Sequence, residues 1–282
     1  MTNAWKKQTV LFLASQTISL FGSSLVQYAI LWHITLETQS GAMMTLSIVC
    51  GFLPSFFISP FAGIWADRYD RKKLIVAADA LIASAALVIA LMFSRGYDVL
   101  WLLFLAMGIR SFGSGVQTPA VNAFLPQIVP ADQLMRVNGI NGSIQSLITL
   151  LSPVASGALM TLVTLDKIFL IDVATAAAAI AILIFFLRVP VHSGALQTGK
   201  TGYWQDLRQG FRYIAGNGFV KRSFVHCAAY FILISPLAFL TPLQVARSFG
   251  PDVGRLTVIE VTFSLGMTAG GLFIAAWGGF SN

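Results

Sequence analysis

Charged side chains are scarce. Asp, Glu, Lys and Arg together make up 10% of the 282 residues, against 56% hydrophobic residues. A soluble domain carries about 25% charged residues, so a water-facing surface of ordinary polarity is excluded. Cysteine is nearly absent. Cys50 and Cys227 stand far apart within apolar stretches, which argues against a disulfide framework. The three histidines, His33, His192 and His226, are isolated and lack ligand spacing, so neither a metal site nor a cofactor is expected. No apolar run holds two acids, so the constellations a membrane-embedded enzyme would need are missing as well.

What the chain has instead is long apolar runs. A membrane span needs about 20 mostly apolar residues. Runs of that kind lie at 9–33, 43–65, 74–94, 99–118, 140–163, 167–187, 223–246 and 256–277. Hydrocarbon offers the backbone no hydrogen-bond partners, so such runs must be helices. The first run is too long for the apolar region of a secretory signal and reads as the first span. The fold class is an all-α polytopic membrane protein.

The net charge of +7 is organised by this layout. With a cytoplasmic N-terminus, Lys6, Lys7, Arg68, Arg71, Lys72, Lys73, Arg136, Arg188, Lys200, Arg208, Arg212, Lys221 and Arg222 all fall inside. Only Arg95, Lys167, Arg247 and Arg255 fall outside, and Arg110 lies within a span. That bias is the positive-inside pattern, so the basic balance reports orientation and not a nucleic-acid partner. Residues 1–188 form one six-span block, and 189–221 are the longest polar interruption. Residues 222–282 hold two further spans. Within the interruption, Tyr203, Trp204, Leu207, Phe211 and Ile214 recur at helical spacing, which predicts a short amphipathic interfacial helix. The exits of spans 2 and 8, "SPFAGIWADRYDRKK" and "TAGGLFIAAWGGFSN", echo one another, as halves built from parallel repeats do. On that pattern four more helices are expected beyond Asn282, and the chain reads as truncated after its eighth span.

Candidate functional residues stand out against the apolar background. "GIWADRYDRKK" at 63–73 packs six charges into eleven positions. Topology accounts for its cations, but acids contribute little to topology, so Asp67 and Asp70 need another reason. Charges inside spans are costly and mark function by default. Arg110 lies about eleven residues from the outer end of span 4, and Asp79 about five from the inner end of span 3. Asp172 and Glu260 lie about four or five residues from the outer face, within reach of water by snorkelling. Arg110 is expected to pair with Asp79 or Asp67. The coupling acid, if there is one, is open between Asp79, Asp172 and Glu260. Gln16, Ser19, Ser23 and Gln27 share one face of span 1, as Asn141, Gln145, Ser152 and Ser156 do in span 5. Gln16, Gln27, Asn141 and Gln145 are the cavity candidates. Pro153 with Gly157 permits bending or close helix contact.

The stretch Gly63-x-x-x-Asp67-Arg68-x-Asp70-Arg71-Lys72 resembles the loop 2–3 signature of the major facilitator superfamily. Its Asp70 replaces a usual Gly, as in the macrolide-efflux and drug:proton antiporter branch. "RSFGSGVQTPAVNAFLPQIVPADQLMRVNGINGS" is similar to span 4 and its exit in that branch. "SPVASG" at 152–157 resembles the antiporter motif Gly-Pro-x-x-Gly-Gly, with Ser152 and Ser156 in place of glycines. The resemblance implies a six-helix N-terminal bundle followed by the first two helices of a C-terminal bundle. It implies alternating access, with protons entering as small amphipathic molecules, drug-, macrolide- or siderophore-like, leave across the cell membrane. It also makes Gly63, Asp67, Arg68, Asp70, Arg71 and Lys72 a conformational latch, Asp67 meeting a helix N-terminus in the other half. A fragment that does not transport by itself is the alternative, with a membrane-embedded enzyme third.

Overall fold

The computed structural model describes residues 4–187, 189 and 203–277. Helix α1 (Ala4–Thr38) turns at Gln39, which adopts a positive φ of 44°, into α2 (Gly41–Arg68). Then come α3 (Arg71–Ser94), α4 (Leu100–Ile128) and, after a 3-10 turn (Ala131–Gln133), α5 (Leu134–Leu162). Helix α6 (Leu165–Ala181) ends in a π-helical turn, Ile182–Phe186. The amphipathic helix expected in the polar interruption forms as α7 (Tyr203–Gly216). The side chains of Tyr203, Trp204, Leu207 and Phe211 lie outside the described residues, as do 190–202 and 278–282. Two long helices follow, α8 (Gly218–Phe249) and α9 (Val253–Trp277). Among the described residues there is no strand.

Among the described residues six stretches are long and apolar enough to cross a membrane: α1, α2, α3, 131–162, 165–186 and α8. The exterior agrees, since Phe52, Phe56, Phe57, Val88, Trp101 and Leu105 are exposed, which a lipid surround favours. The eight runs read from sequence correspond to α1–α6, α8 and α9. Their ends differ where helices continue past the hydrocarbon core. Span 4 was expected to stop at 118, before Pro119, yet α4 runs on through Pro119 and Pro126. Its 29 residues and the 25 of α9 fall outside the six. At 1.5 Å per residue they still cover about 43 and 37 Å.

The helices alternate direction, so α1, α3, α5 and α8 begin at one end of the bundle, here the first face. Helices α2, α4, α6 and α9 begin at the opposite, second face. Helix α4 packs on α2 and α3, α6 on α3 and α1, and α5 on α1. Helix α9 attaches through α5, and α8 touches α1 and α2. Among the described residues two large apolar clusters and a small one of Ala62, Ala78 and Val116 fill the interior. Phe12, Ile75, Phe124, Leu125 and Leu183 lie toward the first face. Val26, Ile30, Ile89, Leu103 and Phe169 lie toward the second. The segments between them, 16–23 on α1 and 110–117 on α4, carry the buried polar side chains of Gln16, Ser19, Arg110, Ser111 and Gln117.

Close helix contact sets this packing. A Cβ on Gly115 of α4 would lie 2.8 Å from the Ser55 Cα of α2, whereas one on Gly108 would meet nothing within 4 Å. Small residues at such crossings let helix backbones approach in membranes. Gly115→Ala should therefore destabilise the fold by about 1–3 kcal/mol through overpacking. Gly108→Ala should leave the thermal unfolding midpoint in detergent unchanged or raise it. Equal midpoints for the two variants would contradict the close α2–α4 contact.

Candidate functional site

The charged 63–73 loop turns α2 into α3. Asp70 stands at the N-cap of α3 with extended backbone (φ −62°, ψ 110°), and its Oδ1 accepts from Lys72 N at 3.0 Å. Arg71 donates from Nε to Ala66 O and from Nη1 to Ala123 O, both at 2.8 Å, tying the ends of α2 and α4 together. Lys72 Nζ donates to Leu187 O at 2.7 Å, just beyond the π-helical end of α6. Cations are favoured at helix C-termini, where carbonyls lack intrahelical donors. Three C-terminal ends thus gather around this loop. Asp67 reaches Arg71 at 3.6 Å while its own side chain stays 77% exposed. Gly63 has open space where a side chain would stand.

Deeper in the bundle lies a polar layer. Arg110 of α4 forms an ion pair with Asp172 of α6, and both side chains are almost wholly buried. Arg110 Nη2 also donates to Ser23 O at 2.8 Å, and Ser23 Oγ donates to Asp172 Oδ1 at 3.1 Å. One turn back along α1, Ser19 Oγ donates to Asp79 Oδ1 at 2.9 Å, and Gln117 Nε2 donates to the same oxygen at 2.6 Å. Asp79 Oδ2 is buried and has no hydrogen-bond partner among the described residues. The serines of the α1 stripe therefore face the buried acids, one each.

Two expectations from the sequence are corrected here. Arg110 pairs with Asp172, not with Asp79 or Asp67. Asp172 does not snorkel: it is 0% exposed. Both differences have one cause. Arg110 lies ten residues into α4 and Asp172 seven into α6, both counted from the second face. They sit about 15 and 10 Å deep, a gap the Arg side chain bridges. Asp79 enters from the opposite face, eight residues into α3.

Two cavities flank this layer. One of about 200 Å³ is lined by Gln16, Ser24, Gln117, Asn122, Gln145 and Thr149, among others, and so joins the α1 and α5 stripes. A larger one of about 610 Å³ lies toward the second face, lined by Gln27, Tyr28, Phe52, Met107, Glu260 and Phe263 together with further residues. Asn141 lines neither. Gln117 and Tyr28 were not singled out from sequence. Gln117 follows Arg110 by seven residues and so shares its helical face, a readable signal. The 152–157 segment faces inward. Ser152 and Ser156 are fully buried, and Ser156 Oγ donates to Leu25 O of α1 at 3.0 Å. A Cβ on Gly157 would collide with Thr257 of α9, so this glycine permits the α5–α9 contact.

Asp70 has a defined local task, and a Ser there could cap the helix equally well. Asp70→Ala should cost about 1 kcal/mol of stability in a thermal unfolding assay, whereas Asp70→Ser should retain it. Equal losses would point to the carboxylate's charge instead of its capping hydrogen bonds.

The Major Facilitator Superfamily family model matches residues 12–282. Macrolide efflux protein A of Streptococcus pyogenes is 29% identical over 278 residues, spanning 99% of this chain and 68% of that protein. Macrolide efflux protein A of Enterococcus faecalis is 30% identical over 241 residues, spanning 85% of this chain and 74% of its relative. In fold, the chain is similar to a bacterial homolog of the human lysosomal transporter Spinster, solved inward-facing and unoccupied. That match has a TM-score of 0.67 at 14% identity and covers 98% of this chain. The chain spans 64% of that structure's length, less than two thirds. With the family model matched across nearly all of its length, the helical multi-pass chain described above belongs to the Major Facilitator Superfamily, a family of transporters and not of enzymes, in its macrolide-efflux-like branch.

Proposed function

We propose that this protein is a secondary active exporter of small amphipathic molecules in the cell membrane, driven by protons moving inward. On this reading the first face and the N-terminus are cytoplasmic, residues 1–188 form the first bundle, 189–221 the linker and 222–282 part of the second bundle. The observation that carries the proposal is the polar layer with a cavity on either side of it. A carrier that alternates access needs a central site whose two approaches open in turn. Gln16 and Gln145 serve the cytoplasmic approach and Gln27 the outer one. Asn141 joins the same α5 stripe nearer the first face. The relatives named for macrolide efflux favour export and a drug-like substrate.

Two of the intramembrane acids then take separate roles. Asp172 is neutralised by Arg110 and holds helices together. Asp79 exchanges the coupling proton. One of its oxygens has no partner, and Gln117, which donates to the other, also lines the cytoplasmic cavity. The groups that face it are Ser19 and Gln117, with Arg110 and Asp172 of the layer beyond. At the membrane surface Asp67 and Arg68 act as the latch, on a frame fixed by Asp70, Arg71 and Lys72. Ser152, Pro153, Ser156 and Gly157 form the pivot against α1 and α9.

Ethidium efflux from energised cells tests this. The rate should collapse when a protonophore is added. Asp79→Asn should bring it to the vector background while the protein still reaches the membrane. Efflux indifferent to the protonophore would remove proton coupling. Normal, protonophore-sensitive efflux by Asp79→Asn would move the proton site elsewhere.

A further inference from the structure

A third cavity lies at the first face, away from the polar layer. It has a volume of about 700 Å³ and opens between the N-terminal ends of α1 and α5. Lys6 in the first turn of α1 and Arg136 in the first turn of α5 both line it, and both are exposed. Neither has an ion-pair partner among the described residues, although Lys6 Nζ stands 5.9 Å from the centre of the Trp5 ring. The two helix ends also turn free backbone N–H groups and positive dipole ends toward this face, which favours an anion. Asp132, the acid among the described lining residues, already accepts from Gln133 Nε2 at 2.9 Å.

A buried hydroxyl marks the same place independently of these charges. Thr9 lines the cavity and is 5% exposed, and its Oγ1 has no hydrogen-bond partner among the described residues. Other threonines of these helices satisfy themselves. Thr17, Thr35 and Thr38 of α1 and Thr45 of α2 each donate to the carbonyl four residues back. Thr9 does not, although a buried hydroxyl without a partner is costly. Deeper along the helices the wall turns apolar, with Val10 and Leu13 on α1 and Val137 and Ile140 on α5. Val10 and Ile140 are themselves exposed, so the cleft opens sideways into the surround. Lys6 and Leu13 are about 10 Å apart along the helix axis. Over that distance the lining passes from cations to a hydroxyl to hydrocarbon.

From this order of groups we infer that the cleft between α1 and α5 binds an anionic phospholipid. Lys6 and Arg136 take the headgroup phosphate, Thr9 donates to an ester oxygen, and the apolar wall carries the start of an acyl chain. Basic pockets between helices at a membrane surface recognise anionic headgroups in this way. Trp5 stands beside Lys6 at the helix start, where interfacial aromatic side chains anchor a span. A free phosphate would use the cations but leave the Thr9 hydroxyl and the apolar wall unmet. The bound lipid braces α1 against α5 at the first face. The inference stands apart from the exporter reading, because it assumes no transport, no substrate and no orientation of the chain in the membrane.

The test is lipid binding to the protein in neutral detergent, followed by native mass spectrometry with dioleoylphosphatidylglycerol and dioleoylphosphatidylcholine. These lipids share their chains and differ in net charge. Phosphatidylglycerol should bind at least about tenfold more tightly than phosphatidylcholine. Replacing both cations, Lys6→Gln with Arg136→Gln, should weaken phosphatidylglycerol by about tenfold or more. Both side chains are exposed, so the double variant should fold as the parent does. Thr9→Val, which keeps the shape and removes the hydroxyl, should weaken binding by about threefold or more. Lys7→Gln removes a neighbouring cation that does not line the cavity, and should leave the affinity within about twofold of the parent. Excess inorganic phosphate should not displace the lipid. Equal binding of the two lipids would overturn the proposal, as would an affinity within about twofold of the parent in the double variant or in Thr9→Val. A loss in Lys7→Gln as large as that in the double variant would overturn it too, by reducing the effect to general surface charge. Displacement by inorganic phosphate would overturn it by making the site one for the free ion.

Discussion

The ion pair between Arg110 and Asp172 is the constraint around which the rest of the bundle is arranged. Either charge alone inside the hydrocarbon would cost several kcal/mol, and a buried pair is tolerated only when its remaining donors and acceptors are satisfied. Ser23 meets part of that demand: its carbonyl takes the second guanidinium nitrogen and its hydroxyl serves the second carboxylate oxygen, while Arg110 Nε is buried without a hydrogen-bond partner among the described residues. Three helices, α1, α4 and α6, are thereby held at one depth. Once they are in place, the apolar clusters above and below must close in two separate halves, which they do around Phe12 and Phe124 on one side and Ile30 and Leu103 on the other.

The same arrangement separates the acids by circumstance. Asp172 is spent on Arg110, leaving little chemical freedom. Asp79, one turn of α1 away, is held by neutral donors from α1 and α4 and keeps an oxygen without a partner. Glu260 faces a cavity wall with no described partner. The three carboxylates thus differ in their surroundings: Asp172 sits in an ion pair, Asp79 among neutral donors and Glu260 on a cavity wall. That division underlies the exporter reading. Helix α1 organises it, because Gln16, Ser19, Ser23 and Gln27 touch in turn the first cavity, Asp79, the ion pair and the second cavity.

Much of this was legible in the sequence, and the gaps have physical causes. The spans follow from apolar runs because hydrocarbon leaves the backbone no alternative to the helix. Their ends do not, since α4 crosses Pro119 and Pro126 once its neighbours hold it. Arg110 and the α1 stripe were readable from cost and spacing. The partner of Arg110 was not, because which helices adjoin is a fact of three dimensions. The distance of Asp172 from the end of its run does not reveal that Ser23 of α1 and Arg110 of α4 meet its carboxylate in the interior. Asp70 illustrates the limit differently. Its position marked the branch, but its local work as the N-cap of α3 emerges only when Lys72 N is seen pointing at it.

A double-mutant cycle on Arg110 and Asp172, followed by unfolding equilibria in mixed detergent, addresses the central claim most directly. Asp172→Asn leaves the guanidinium buried without its counter-charge and should cost about 3–5 kcal/mol. Arg110→Gln should cost a similar amount for the mirror reason. The double variant, with two neutral polar groups in contact, should be more stable than the sum of those losses requires, by at least about 2 kcal/mol. Losses that simply add would mean that the two residues do not depend on one another, and the polar layer would lose its anchor.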